Sequence, residues 1–248
     1  MEEKKYPVAE IFNSPQGEGQ YTGTLMTFIR FAGCSVGKKL TPGLRQGWMN
    51  RQSVFAERIE IPIYTEQCCT YDGRPFLCDT DFRTKEVLTV GQIIERIPKG
   101  MEHVCLTGGE PLIHDLEPLV TRLKEMFDDD LGVKYHMPCI HVETSGTIDW
   151  PEYDFDTGYI WLTVSPKFGV LEEMLEFADE VKILVDENFD ESKLPAVMQN
   201  SWAGNVYIQP INAEFAIDDK NMQRVLELQK KHPSWKISSQ MHKIWHVR

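Results

Sequence analysis

The sequence has no apolar run approaching the roughly 20 residues that a membrane-spanning helix requires, and its opening Met1-Glu2-Glu3-Lys4-Lys5 lacks the apolar core of a signal peptide. A cytoplasmic protein without a membrane partner is therefore expected. Cationic charge is also scarce: 26 Lys and Arg stand against 38 Asp and Glu, a net charge of −12. That balance argues against a broad nucleic-acid surface and favours a small molecule as partner. Cysteine is too sparse for a disulfide scaffold, with six in 248 residues; without a secretory signal, reduced thiols used for packing or for a metal are expected. A hydrophobic content of 42% is enough to bury one sizeable core. A single domain over 1–248 is the simplest division.

What is present is a β-then-α alternation. Val8 to Phe12 is short and apolar, and Met26 to Ala32 reads as a strand that carries Arg30 beside Phe28. Residues 35–67 show no period and are punctuated by Pro42, Gly43 and Gly47, which marks an irregular insertion after that first strand. Within it Lys38, Lys39, Arg45, Arg51 and Arg58 outnumber Glu57, Glu60 and Glu66. Such a run is ordinarily a solvated face, and it is also a candidate dock for an acidic electron carrier. Further on, helices are expected over Val90–Ile97, Leu116–Phe127, Leu171–Phe177 and Asp218–Lys231. Strands are expected over His103–Thr107, Ile140–Glu143, Tyr159–Val164, Glu180–Val185, Asn205–Gln209 and Trp235–Ser238. This order predicts an α/β fold with mostly parallel strands and crossover helices, an open sheet or a partial barrel, with ligands at the carboxyl ends of the strands.

Polar motifs fall at those ends. Thr107-Gly108-Gly109-Glu110-Pro111, Glu143-Thr144-Ser145-Gly146-Thr147, Ser165-Pro166-Lys167 and Gln209-Pro210 each follow a strand. Singly these are ordinary turn chemistry; together they define a rim. Near the N-terminus, Ser14-Pro15-Gln16-Gly17-Glu18-Gly19 places two glycines about a carboxylate, a surface turn or a loop that closes on a polar heterocycle. Cys34, the pair Cys68-Cys69, and Cys78 bracket the insertion. Three thiolates would hold an iron–sulfur cluster and leave one iron open, with a zinc site as the alternative. Cys105 within a strand and Cys139 beside one read as core residues.

With these residues the chain resembles the radical S-adenosylmethionine enzymes and, among them, the 7-carboxy-7-deazaguanine synthase family. The resemblance rests on Ser14 to Gly19, Phe28-Ile29-Arg30-Phe31-Ala32-Gly33-Cys34, Cys78-Asp79-Thr80, Gly108 to Pro111, Glu143 to Gly146 and Gln240-Met241-His242-Lys243, spread over nearly the whole chain. It implies a partial (β/α) barrel and a [4Fe-4S] cluster on Cys34, Cys78 and one of the adjacent pair. The family's compact Cys-x3-Cys-x2-Cys is interrupted here, and Pro75 stands where the middle cysteine would be. Cys69 is the expected ligand because a turn follows it, with Cys68 as the alternative. By the same resemblance, Gly108, Gly109, Glu110, Ser145, Ser165, Lys167 and Gln209 would hold S-adenosylmethionine, and Thr80 would ligate Mg²⁺. Gln16, Glu18, Arg30, Thr107 and His242 would hold 6-carboxy-5,6,7,8-tetrahydropterin, which hydrogen abstraction at C6 and ring contraction would convert to 7-carboxy-7-deazaguanine and ammonia for queuosine-type biosynthesis. An electron donor such as flavodoxin or ferredoxin and a homodimer are implied as well. Other readings are a second radical enzyme of the superfamily, such as a glycyl-radical activating enzyme, and a non-catalytic zinc-binding protein.

Overall fold

The computed structural model describes residues 3–39, 66–78, 80–81, 83–131, 139–151, 157–199, 204–212 and 216–247. Most of the expected insertion, with Arg45, Arg51 and Arg58, lies outside them.

The main sheet has nine strands. In chain order these are β1 (Lys5–Pro15), β2 (Leu25–Phe31), β6 (Glu86–Thr89), β7 (Val104–Gly108), β8 (Ile140–Thr144), β9 (Ile160–Val164), β10 (Glu180–Val185), β11 (Asn205–Pro210) and β12 (Lys236–Ile237). A second, three-stranded sheet is built from β3 (Lys38–Lys39), β4 (Glu66–Cys69) and β5 (Pro75–Leu77). The helices are α1 (Val90–Ile94), α2 (Glu117–Leu131), α3 (Glu172–Phe177), α4 (Ala196–Gln199), α5 (Asp219–Lys231) and α6 (Met241–Trp245).

Across the main sheet the order is β12-β11-β10-β9-β8-β7-β2-β1-β6. From β2 to β12 every pairing is parallel, while β1 runs antiparallel to both β2 and β6. Parallel neighbours need crossovers, and helices supply them from β7 to β8 and at each step from β9 to β12. The insertion leaves the sheet after β2, the first of the parallel strands.

Alternation along the strands sorts the two faces. Ile29, Phe31, Leu106, Val142, Leu162, Val181, Ile183 and Ile208 are buried in the main core with the helices. Helix α2 meets them through Leu119, Val120, Leu123 and Phe127, spaced three or four apart so that one stripe faces the sheet. Burying each such side chain contributes about 1.5–3 kcal/mol. The opposite face is polar toward the carboxyl ends: Arg30 stands beside Thr107, and Glu143 beside Thr163. Below them on that face sits a small apolar cluster of Met26, Phe28 and Cys105, with Phe12 and Tyr21 against it. The fold therefore presents a polar surface at the strand ends, backed by a dry core.

Candidate active site

A cavity of about 1510 Å³ opens at the carboxyl ends of the parallel strands. Gln16, Glu18, Arg30, Cys34, Cys68, Cys78, Thr80, Thr107, Gly108, Gly109, Ser145, Ser165, Lys167, Gln209 and His242 all line it. Two expected residues do not: Glu110 and Cys69 are absent from its wall.

Glu110 is fully buried and faces the next loop. Its carboxylate accepts from Leu112 N at 3.1 Å, Thr144 Oγ1 at 2.7 Å and Ser145 N at 2.9 Å, and also from the Ser145 hydroxyl. A buried carboxylate is tolerable when so fully bonded. Glu110 ties the loop after β7 to the loop after β8, and Gly108 and Gly109 of the first loop line the cavity. At Gly109 a Cβ would sit 2.1 Å from Gly33 O, so only glycine lets this loop pass the one bearing Cys34.

The thiols gather at one side of the cavity. Cys34 Sγ accepts backbone N–H bonds from Gly37 at 3.1 Å and Val36 at 3.4 Å. Burial pushes the Cys34 thiol up, and those two bonds pull against it. Burial raises Cys68 too, opposed by the nearby Lys167 ammonium. Cys68 and Cys69 are consecutive on β4, so their side chains leave opposite faces, and Cys68 is the one on the cavity. Among the described residues no three His, Cys, Asp or Glu side chains already close on one point as a metal site. Cys34, Cys68 and Cys78 nevertheless form an all-sulfur donor set at the rim, with Lys167 facing the sulfurs, and that chemistry fits an iron–sulfur group. Lys167 itself donates to Ser165 Oγ at 2.7 Å and Ser165 O at 3.0 Å. Burial lowers its pKa, and the cysteines oppose that shift.

The inner wall is a chain of paired charges. Gln16 Nε2 donates to Glu143 Oε1 at 3.0 Å, and Thr107 Oγ1 donates to Glu143 Oε2 at 2.9 Å. Gln209 Nε2 donates to Glu18 Oε1 at 3.1 Å, and Lys182 Nζ is ion-paired to the other oxygen of Glu18. Burial alone would push the Lys182 pKa down; the carboxylates of Glu18, Glu143 and Glu180 reverse this and hold the ammonium above the usual lysine range. Arg30 Nε donates to Glu10 Oε1 at 3.0 Å, with the guanidinium 5.8 Å from the centre of the Phe12 ring. Above them α6 packs on the N-terminal loop: Met241 N donates to Gly17 O at 2.9 Å, and His242 faces the cavity.

Two residues of this wall carried no sequence expectation, Glu10 and Lys182. Lys182 had a visible signal, a lone charge inside Val181-Lys182-Ile183-Leu184-Val185. Glu10 sits between Ala9 and Ile11 and is explained only by its partner across β1 and β2. Gln209, expected on the cofactor, lines the cavity and donates to Glu18.

No family model matches the chain. Named proteins do. The chain is 30% identical over 256 residues to a 7-carboxy-7-deazaguanine synthase of Escherichia coli, covering 98% of this chain and 99% of that protein. A synthase of the same name from Synechocystis is 29% identical over 249 residues, covering 98% and 94%, and one from Bacteroides thetaiotaomicron is 28% identical over 242 residues, covering 97% and 98%. Among solved structures, that of QueE from Escherichia coli superposes with a TM-score of 0.60 at 26% identity, covering 95% of this chain and 93% of that one. Agreement in name, in length and in fold across these relatives leaves one conclusion, that the chain is an enzyme belonging to the 7-carboxy-7-deazaguanine synthase family.

Proposed function

We propose that the chain is a radical S-adenosylmethionine lyase that converts 6-carboxy-5,6,7,8-tetrahydropterin to 7-carboxy-7-deazaguanine and ammonia in deazapurine biosynthesis of the queuosine type. The observation that carries this reading is the wall of Gln16, Glu18, Arg30 and Thr107 facing the same cavity as Cys34, Cys68 and Cys78. When bound, a [4Fe-4S] cluster with S-adenosylmethionine supplies a 5′-deoxyadenosyl radical, and this hard chemistry belongs to the cofactors.

The chain's own residues bind and orient. A reduced pterin presents a guanidine-like edge of N–H donors, which the Glu18 carboxylate and the Gln16 amide carbonyl accept. Lys182 ion-pairs with Glu18, and Gln209 fixes its rotation. Arg30 offers the rest of its guanidinium to the substrate carboxylate while Glu10 holds Nε. His242, brought in by α6, covers the ligand from above and helps exclude water. On the cofactor side Gly108 and Gly109 let backbone lie against the methionine portion, and Ser145, Ser165 and Lys167 complete that wall. Thr80 at the rim supplies a hydroxyl of the kind that shares Mg²⁺ with substrate oxygens and water. A flavodoxin or ferredoxin as electron donor and a homodimer belong to the same proposal.

The test is an anaerobic assay of the iron-reconstituted, reduced protein with S-adenosylmethionine, Mg²⁺ and the pterin. Formation of 7-carboxy-7-deazaguanine, followed by mass, without stoichiometric loss of S-adenosylmethionine is the expected result. Slow release of deoxyadenosine with no such product would overturn the substrate and keep the superfamily. A protein that takes up no iron would overturn both.

A further inference from the structure

We infer that the third cluster thiolate is Cys68, delivered by a hairpin that is clamped to the main sheet through Tyr71 and Arg74; this rests on the three-thiol reading above. The sequence break at Pro75 removes the compact cysteine loop, and the hairpin β4–β5 stands in its place. Its register sets Cys69 opposite Pro75 and Cys68 opposite Phe76; of the two adjacent cysteines, Cys68 lines the cavity with Cys34 and Cys78, and Cys69 does not. The Lys167 ammonium lies near Cys68, Cys78 and Cys69 alike, so it marks the thiol side of the cavity without choosing between the adjacent pair.

A short hairpin alone would not hold a ligand in place, and this one is fastened at its turn. Thr70 N donates to Arg74 O at 2.9 Å, Gly73 N donates to Thr70 O at 3.0 Å, and Arg74 Nε donates to Asp72 Oδ2 at 2.9 Å, which makes the turn rigid. The turn is then bound to the segment that follows β10. Arg74 ion-pairs with Asp186, and the Tyr71 hydroxyl donates to Asp190 O. The Tyr71 ring is 7% exposed and meets Phe189 edge-on at 5.5 Å, so it is part of the main core. Asp186 and Asp190 sit just beyond the carboxyl end of a parallel strand. The hairpin is thereby fixed to the same strand ends that carry the cavity wall. Tyr71 and Arg74 are positioning residues, acting through Cys68.

The experiment is anaerobic reconstitution of the full chain with iron and sulfide. It compares wild type with Cys68→Ala, Cys69→Ala, Cys34→Ala and Arg74→Met by bound iron and acid-labile sulfide, and by the electron paramagnetic resonance spectrum of the reduced protein. Cys69→Ala is expected to keep the wild-type content and spectrum, while Cys68→Ala loses them as Cys34→Ala does. Arg74→Met is expected to retain the cluster but lose iron to a chelator about tenfold faster, an effect of the size seen when supporting contacts around a metal ligand are removed, with an altered spectrum. A merely structural role for Arg74 would leave the spectrum unchanged and overturn the clamp. Cluster loss in Cys69→Ala, or cluster retention in Cys68→Ala, would overturn the assignment of the ligand. Retention in Cys34→Ala, or no cluster in wild type, is a different result that overturns the three-thiol reading itself.

Discussion

Gly17 has room for a hydrogen and nothing larger. A Cβ there would lie 2.2 Å from His242 Nδ1 and 2.8 Å from His242 N, so alanine must push α6 off the N-terminal loop. Displacing His242 by about 1 Å can cost on the order of 100-fold in turnover when the residue orients substrate. On the proposed function, Gly17→Ala is expected to raise KM for the pterin and lower kcat/KM by about that factor, with little change in the affinity for S-adenosylmethionine; steady-state kinetics with each ligand varied would separate the two. Lys182 argues a different point. Its side chain is 8% exposed and that of Glu18 15%, so Lys182→Met would leave a buried carboxylate without its counter-charge. Breaking such a pair costs about 3–5 kcal/mol, whereas removing both charges can be nearly neutral. The single variant is therefore expected to unfold at markedly lower urea, and Lys182→Met combined with Glu18→Gln to recover much of the loss.

The elements show how much of this fold local pattern can carry. From Val90 onward the expected strands and helices match the observed ones within a few residues, because each is a periodic run ended by Gly, Pro or a cap. Asp218 is the clearest case: its carboxylate accepts from Lys220 N and Asn221 N at 3.0 Å each, capping α5 where the sequence placed that helix's start. Asp218→Ala is expected to cost about 1 kcal/mol, the ordinary worth of an N-cap, and thermal unfolding would register it. The illegible elements owe their form to partners far along the chain. β1 runs past Val8–Phe12 at both ends because Lys5–Val8 pair with β6, a four-residue edge strand with too little pattern to be read alone, and Asn13–Pro15 pair with β2. The hairpin β4–β5 was hidden for the same reason, since Tyr71 and Arg74 find their partners in Asp190 and Asp186, 119 and 112 residues away. So was the choice within the cysteine pair: Cys69 followed by a turn is the natural local reading, and only the cavity wall, which takes in Cys68 and not Cys69, shows which cysteine faces the cavity. Gln16, Glu18, Arg30 and the rim glycines were legible because their motifs are contiguous. Lys182 showed only as a lone charge in an apolar strand and Glu10 not at all, because their partners Glu18 and Arg30 lie 164 and 20 residues away.

At the scale of the whole molecule the inner face of the sheet is divided, charged at the carboxyl ends and aromatic at the amino ends, and this division governs the response to acid. Toward the amino ends His141 is 3% exposed, shares a hydrogen bond with His103 at 3.0 Å, and is met edge-on by Tyr21 at 4.5 Å. Burial, reinforced by His103, pushes its pKa from 6.5 down to about 3. The folded state thus keeps His141 neutral while the unfolded chain protonates it below 6.5. Its contribution is complete above that pH and drains away as the pH falls toward 3. Burial raises the pKa of Asp179 and Glu180 close by, so these carboxyls take up protons more readily when folded and gain stability as the pH falls, against the trend of His141. A bare acid titration of stability would mix the two signs, but a substitution separates them. Between pH 7.5 and 5 the wild-type chain is expected to lose about 2 kcal/mol more than His141→Gln, at roughly 1.4 kcal/mol per pH unit below 6.5, as read from urea midpoints at both pH values. Equal losses in the two proteins would mean that His141 takes up its proton in the fold as readily as in the unfolded chain, and the dry lower half of the sheet would have to be redrawn as open to water.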